Sequence, residues 1–180
     1  STITPMPDVT GYEDLQARFG YVFRDPAFLR LALTHPSVAH EHGSPMETNQ
    51  RLEFLGDAVL QLVLTRELYE KFPAFGEGPL TKARAKLVNR RTLAERARHL
   101  CLGQHWILSR GEEIHGGRDR LSALAGTYEA LLGAILLDGG FDVWKQEGRP
   151  VEPVEPAVPV EPVVPVPSDW IGAPDASRLA

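Results

Sequence analysis

Prolines recur at every third position between residues 150 and 165, and this pattern restricts the fold of the 180-residue chain more than any other feature. A polyproline II helix has three residues per turn, so these prolines would share one edge of an extended rod. Proline also lacks the backbone donor that helix interiors and central strands require. We therefore expect a folded unit over residues 1–147 and an extended, Pro-, Val- and Glu-rich linker or disordered tail over residues 148–180.

The hydrophobic pattern of the expected folded unit is helical. Apolar residues recur at mixed spacings of three and four over residues 49–72 and again over residues 79–100, whereas residues 109–119 are rich in glycine and charge and predict a loop. Residues 121–137 are apolar nearly all round, which predicts a buried central helix. Asp25 followed by proline is typical of a helix start. No alternating strand pattern competes, so the sequence predicts an all-α domain.

The net charge of -5 is unevenly distributed. Acidic residues dominate the predicted tail, whereas residues 82–98 carry seven bases and one acid. Such a basic segment fits either a nucleic-acid surface or a solvated helix face. The single cysteine cannot form an internal disulfide, no apolar run approaches the roughly 20 residues of a membrane span, and no signal peptide opens the chain. We expect a cytoplasmic protein with no membrane partner.

Three carboxylates fall within apolar helical segments. Glu53 and Asp57 are four residues apart and share a helix face, and Glu129 lies on the most apolar helix. A buried acid needs a positive partner, which is either a divalent metal or a base; the candidate bases are Arg51, Arg84 and Lys86. Carboxylates without a Cys/His cluster suit Mg²⁺ or Mn²⁺ rather than zinc. Beside a basic helix, they fit metal-assisted phosphodiester hydrolysis.

The segment Asn-Gln-Arg-Leu-Glu-Phe-Leu-Gly-Asp-Ala-Val-Leu over residues 49–60 resembles the signature helix of the ribonuclease III family. The resemblance continues in order through residues 15–35, 72–88 and 122–140. It implies a helical, homodimeric endonuclease domain that accepts double-stranded RNA, uses Mg²⁺ with Mn²⁺ as a substitute, and leaves 5′-phosphate ends. Precursors of rRNA and mRNA are the implied substrates.

The same resemblance assigns roles by position. Glu53, Asp57 and Glu129 match catalytic acids that hold the metal, and Glu77 matches a metal-site acid that approaches from the partner subunit. The positions on the RNA side are Lys82, Arg84, Lys86 and Arg90. Phe54 and Leu55 match the dimer interface.

Three departures from the family pattern bear on activity. Gln50 replaces a glutamate, Gly126 replaces a metal-ligand aspartate three residues before Glu129, and we expect the chain after residue 141 to lead into the tail rather than into the family's usual double-stranded RNA-binding domain. Two alternatives to an active nuclease therefore remain open. One is a catalytically impaired dimer that binds structured RNA; the other is a helical dimerisation domain with no role on RNA.

Overall fold

The computed structural model describes residues 11–41 and 47–140, and within them the chain forms eight α-helices joined by turns. This confirms the all-α prediction; extended backbone pairs there only in an isolated bridge between Thr34 and Ile107. The tail predicted over residues 148–180 lies outside the described residues, and its boundary stays a prediction. The helices are α1 (Glu13–Phe19), α2 (Pro26–Ala32), α3 (Ser37–Glu41), α4 (Gln50–Lys71), α5 (Glu77–Leu87), α6 (Arg90–His99), α7 (Arg110–Ile114) and α8 (Leu121–Gly139).

Helix α8 forms the centre of the domain, as its apolar sequence predicts. It packs most extensively on α4, then on α6 and α2. Its side chains are buried over more than two turns, among them Tyr128, Leu131 and Ile135. By length and composition this 19-residue helix could also cross a membrane, which the sequence analysis did not anticipate. Burial of α8 against α4, α6 and α2 also accounts for its apolar composition, because the core helix of a globular domain is apolar on most sides.

Glycines allow α4 and α8 to touch through their backbones. A Cβ atom placed on Gly56 would overlap the carbonyl oxygen of Glu129, and one on Gly133 would overlap the carbonyl oxygen of Leu52. Real Cβ atoms essentially never come within 3.0 Å of such atoms. Glycine is therefore required at both positions, and the close crossing fixes the position of the first half of α4 on α8.

Two sequence predictions of local structure are wrong. Residues 79–100 form α5 and α6 rather than one helix, because Asn89 adopts an extended backbone and its Oδ1 accepts a hydrogen bond from the amide of Thr92 at 3.0 Å. The predicted loop over residues 109–119 contains α7, whose start is capped by the Ser109 hydroxyl. In both cases a polar side chain binds the backbone and starts a new helix. The predicted cap at Asp25 is confirmed by its hydrogen bond with the amide of Ala27 at 2.9 Å.

The end of α8 is tied to the segment that precedes α2. The carboxylate of Asp138 accepts hydrogen bonds from the Tyr21 hydroxyl at 2.7 Å and from the amides of Arg24 and Asp25 at 2.7 and 2.9 Å. Burial raises the pKa of Asp138, but these hydrogen bonds outweigh it and hold the pKa below its ordinary value. This side chain therefore joins the two ends of the described domain.

Candidate active site

The α4–α8 crossing brings Glu53 and Glu129 to the same place. Glu53 lies in the first turn of α4 and Glu129 lies midway along α8; both are half-buried. Asp57 follows Glu53 by one helical turn but is exposed, so the prediction of a buried Asp57 is wrong. Its apolar sequence neighbours Phe54 and Ala58 are exposed as well, because none of the described helices packs against that side of α4.

The three carboxylates repel one another. Burial, together with the nearby charges of Asp57 and Glu53, raises the pKa of Glu129 to about 7. Burial also raises the pKa of Glu53, while the positive charge of Arg90 opposes this change. Arg90 likewise opposes the rise at Glu129. A site with this excess of negative charge favours a cation over a neutral ligand.

The structure does not support direct salt bridges, which were one of the two alternatives for the positive partner of these acids. None of the ion pairs in the described part of the chain involves Glu53, Asp57 or Glu129. Of the bases suggested as partners, Arg84 instead donates a hydrogen bond to the hydroxyl of Thr65 at 2.8 Å. The cation whose field reaches Glu53 and Glu129 is Arg90, a residue that the sequence assigned to the RNA side.

The all-oxygen donor set fits Mg²⁺ or Mn²⁺ in its chemistry, but it is incomplete. Among residues 11–41 and 47–140, no three His, Cys, Asp or Glu side chains are arranged together to hold a metal ion. Position 126 contributes no ligand because it is glycine. Glu53 and Glu129 are the side chains that could hold a cation here, with Asp57 one turn from Glu53. Mg²⁺ commonly retains several waters, so it does not need a full set of protein ligands.

A buried asparagine, which the sequence analysis did not single out, sets the start of α4 against α8. Asn49 is only 2% exposed, and its Nδ2 donates to the Ala32 carbonyl at 3.3 Å and to the Thr127 hydroxyl at 3.4 Å. Thr127 lies two residues before Glu129, and Asn49 lies one turn before Glu53. Together with Gly56 and Gly133, this contact positions the two half-buried carboxylates. A polar residue at a helix start is ordinarily interpreted as a cap, so the sequence alone does not show this role.

Glu77 is not brought to the carboxylates by its own chain. It is the first residue of α5 and is exposed, and its Oε1 accepts a hydrogen bond from the Thr81 hydroxyl at 2.8 Å. It borders a cleft of about 650 Å³ that is also lined by Tyr69 near the end of α4. Tyr69 lies 16 residues after Glu53, which is about 24 Å along a helix. A role for Glu77 at Glu53 therefore requires a second copy of the chain.

The four bases predicted on the RNA side have different surroundings. Lys82 and Lys86 are exposed one turn apart on α5, so they share one face. Arg84 is half-buried and binds Thr65, and Arg90 begins α6 beside the carboxylates. Of these four bases, only Lys82 and Lys86 are exposed and take part in no hydrogen bond, ion pair or charge interaction with the carboxylates among the described residues.

An apolar stripe runs along the uncovered side of α4. Phe54 is 82% exposed, whereas Leu55 is half-buried. Further exposed apolar residues follow at helical spacing, namely Ala58, Leu62 and Tyr69. An exposed stripe of this length on one helix marks an interaction surface.

The sequence model of the ribonuclease-III-like family matches residues 25–147. Ribonuclease 3 of Oleidesulfovibrio alaskensis is 50% identical over 130 residues, which is 72% of this chain and 57% of the relative. Ribonuclease 3 of Thermobifida fusca is 55% identical over 117 residues, which is 65% of this chain and 48% of the relative. The chain thus spans about half the length of these relatives.

The fold is similar to that of a solved nuclease domain. The nuclease domain of ribonuclease III from Campylobacter jejuni matches with a TM-score of 0.69 and 42% identity, over 75% of this chain and 91% of that chain. For that domain, structural flexibility is described in a region involved in dimer formation. The family model, which matches residues 25–147, covers the helices that carry Glu53 and Glu129.

Proposed function

Because the chain belongs to the ribonuclease-III-like family, we propose that it is a divalent-metal-dependent endoribonuclease that cleaves double-stranded RNA. The observation that carries this proposal is the placement of Glu53 and Glu129 together, with Asp57 one turn away, at the crossing of α4 and α8. The family relationship supports a nuclease, and the donor chemistry supports Mg²⁺ or Mn²⁺. Structured precursors of rRNA and mRNA are the proposed substrates, and 5′-phosphate ends the proposed products.

The roles of the chain's own residues follow from their surroundings. Glu53 and Glu129 would hold the cation, which supplies an activated water and stabilises charge on the leaving oxygen. The Glu129 carboxylate has a pKa of about 7 without the cation, so it is part-protonated near neutral pH and is poised to exchange a proton for a cation. Arg90 balances part of the negative charge from the start of α6.

RNA contact is proposed for the face of α5 that carries Lys82 and Lys86. An A-form duplex is recognised mainly through its shape, phosphates and 2′-hydroxyls, which suits exposed lysines without a base-reading motif. Each phosphate contact releases counterions, so we expect the affinity to fall steeply with salt.

A homodimer is proposed through the stripe that begins at Phe54. The stripe is exposed in the single chain, and Glu77 lies near the far end of α4, too far away to approach Glu53 of its own chain. In sedimentation at micromolar concentration, we expect the full chain to have twice its mass of 19.9 kDa and Phe54→Glu to be monomeric. A parent chain that sediments as a monomer contradicts the dimer.

Cleavage is tested with the purified 180-residue chain, a labelled RNA duplex and either Mg²⁺ or Mn²⁺. We expect cleavage by the parent and none by Glu129→Gln, which retains the shape of the side chain but loses the charge. Duplex RNA that stays intact with both metals contradicts the nuclease proposal.

Binding is measured separately, without metal. The double variant Lys82→Glu/Lys86→Glu should weaken duplex binding by roughly tenfold or more and reduce its salt dependence. Arg84 is left unchanged, because its reversal would also break the hydrogen bond with Thr65. The charge-matched control reverses Arg30 and Lys71, two exposed bases outside the 82–98 segment. Equal losses in both variants contradict a specific surface on α5.

A catalytically impaired RNA-binding dimer is the second candidate. The absence of a ligand at Gly126 and of three assembled ligand side chains within the described residues favours it. Duplex binding by the lysine face without cleavage in either metal would identify this function.

A further inference from the structure

The carboxylate of Glu53 lies against the bare backbone of Gly126. A Cβ atom placed on Gly126 would be 2.8 Å from Cδ of Glu53, 2.8 Å from its Oε2 and 2.9 Å from its Oε1. All three distances are below 3.0 Å, a limit that real Cβ atoms essentially never cross. The three nearest atoms belong to one carboxylate, so this group fills the volume that a side chain at position 126 would need.

This glycine differs from the two that join the helices. Gly56 and Gly133 face backbone atoms of the opposite helix, so they are required by the crossing itself. Gly126 is buried but faces only the flexible end of one side chain among its nearest atoms. Packing of α4 on α8 therefore does not explain a glycine at this position, whereas the position of Glu53 does.

We infer that Glu53 occupies the place of the side chain that residue 126 lacks and supplies a carboxylate to that face of α8 from α4. Its role as a donor there rests on the proposed function, but its placement does not. Glycine at position 126 leaves the space that the Glu53 carboxylate occupies, so the effect of a substitution at 126 depends on the residue at position 53. The family resemblance implies a carboxylate at position 126. Here the Glu53 carboxylate lies at that location instead, so the site has one negative charge fewer than the family pattern implies.

Substitutions at position 126 should therefore act through Glu53. Alanine adds a Cβ and no oxygen, so it displaces the carboxylate without replacing it. Aspartate displaces the same carboxylate while adding its own, so its benefit to cation binding should be smaller than that of a ligand placed in empty space.

The placement is tested without metal, by thermal unfolding in a chelator. Replacement of a helical glycine by alanine normally raises the melting temperature by a few degrees, on the order of 3 °C for a chain of this size. We expect that rise for Gly126→Ala in a Glu53→Ala background, and a smaller rise or a fall in the parent background. Gly78→Ala is the matched control, because that helical glycine has nothing within 4 Å of the added atom; its effect should be equal in both backgrounds. Equal effects of Gly126→Ala in both backgrounds overturn the inference.

The donor role is tested by calorimetric titration of the full chain with Mn²⁺ alone. Displacement of a positioned ligand should weaken Mn²⁺ binding about tenfold in Gly126→Ala, while Gly78→Ala binds like the parent. Unchanged Mn²⁺ affinity in Gly126→Ala overturns the donor role. A parent chain that binds no Mn²⁺ overturns the metal dependence in the proposed function instead, and the unfolding experiment still decides where Glu53 lies.

Discussion

The contact between Gly56 and the backbone of α8 gives the sharpest test of how the fold builds the site. In Gly56→Ala the added methyl group would overlap the carbonyl oxygen of Glu129, and neither backbone can rotate away. The helices would have to separate by roughly 1 Å or more, which loosens close-packed side chains along the whole crossing. Overpacking of this kind costs about 1–3 kcal/mol and occasionally more, against a gain of at most about 1 kcal/mol from better helix propensity.

We therefore expect Gly56→Ala to lose about 2 kcal/mol of unfolding free energy. For a chain of this size, that corresponds to a melting temperature roughly 4–8 °C below that of the parent. Separation of α4 from α8 also moves Glu53 away from Glu129, so Mn²⁺ binding should weaken in the same variant.

Circular dichroism at 222 nm in a chelator measures the melting temperature, and Mn²⁺ titration at a temperature where both proteins are folded measures the site. Gly78→Ala again serves as the control, and it should melt at or above the parent temperature. If Gly56→Ala melts within 2 °C of the parent, as a flexible crossing would permit, the argument for backbone contact is refuted.

Three further predictions concern charge and strain. The pKa of Glu129 rises from 4.5 to about 7 in the fold, so its charge disfavours folding increasingly as the pH rises through that window. Without metal, Glu129→Gln should therefore raise the melting temperature more at pH 8 than at pH 5, and an equal rise at both pH values would contradict this. The pKa of Asp138 is lowered below 3.8, so its contribution to the free energy of unfolding is present above pH 3.8 and is lost as the pH falls through the pKa of the folded state. Urea unfolding should show that Asp138→Asn is less stable than the parent at pH 7 and that this difference in stability narrows below pH 4. A difference that stays constant with pH would refute the linkage. Cys101 has a φ of 55°, and Cys101→Gly should gain up to about 1 kcal/mol in urea unfolding; a loss would show that the thiol's packing outweighs the strain.

Sequence periodicity located the two helices that carry the carboxylates because both are long and have several turns of apolar residues. The predicted segments 49–72 and 121–137 differ by at most two residues at any end from Gln50–Lys71 and Leu121–Gly139. The break between α5 and α6 was missed because the apolar spacing continues across it, while one hydrogen bond from Asn89 decides the local backbone. Periodicity is judged over many residues, so it does not reveal a single side-chain hydrogen bond. In the folded chain, that one bond is enough to end one helix and start the next.

The carboxylates show where one-dimensional reasoning stops. Apolar neighbours in the sequence predicted burial for both acids of α4, but a helix divides those neighbours between two sides. Glu53 lies on the side that meets α8, and Asp57 lies beside Phe54 and Ala58, which no helix within residues 11–41 and 47–140 covers. In the proposed homodimer, a second copy of the chain would supply the apolar surroundings expected for Asp57. Gly126 is a second example, within one chain. In the sequence, this glycine indicates only that a metal ligand is lost. The structure shows that the Glu53 carboxylate fills the space of the missing side chain.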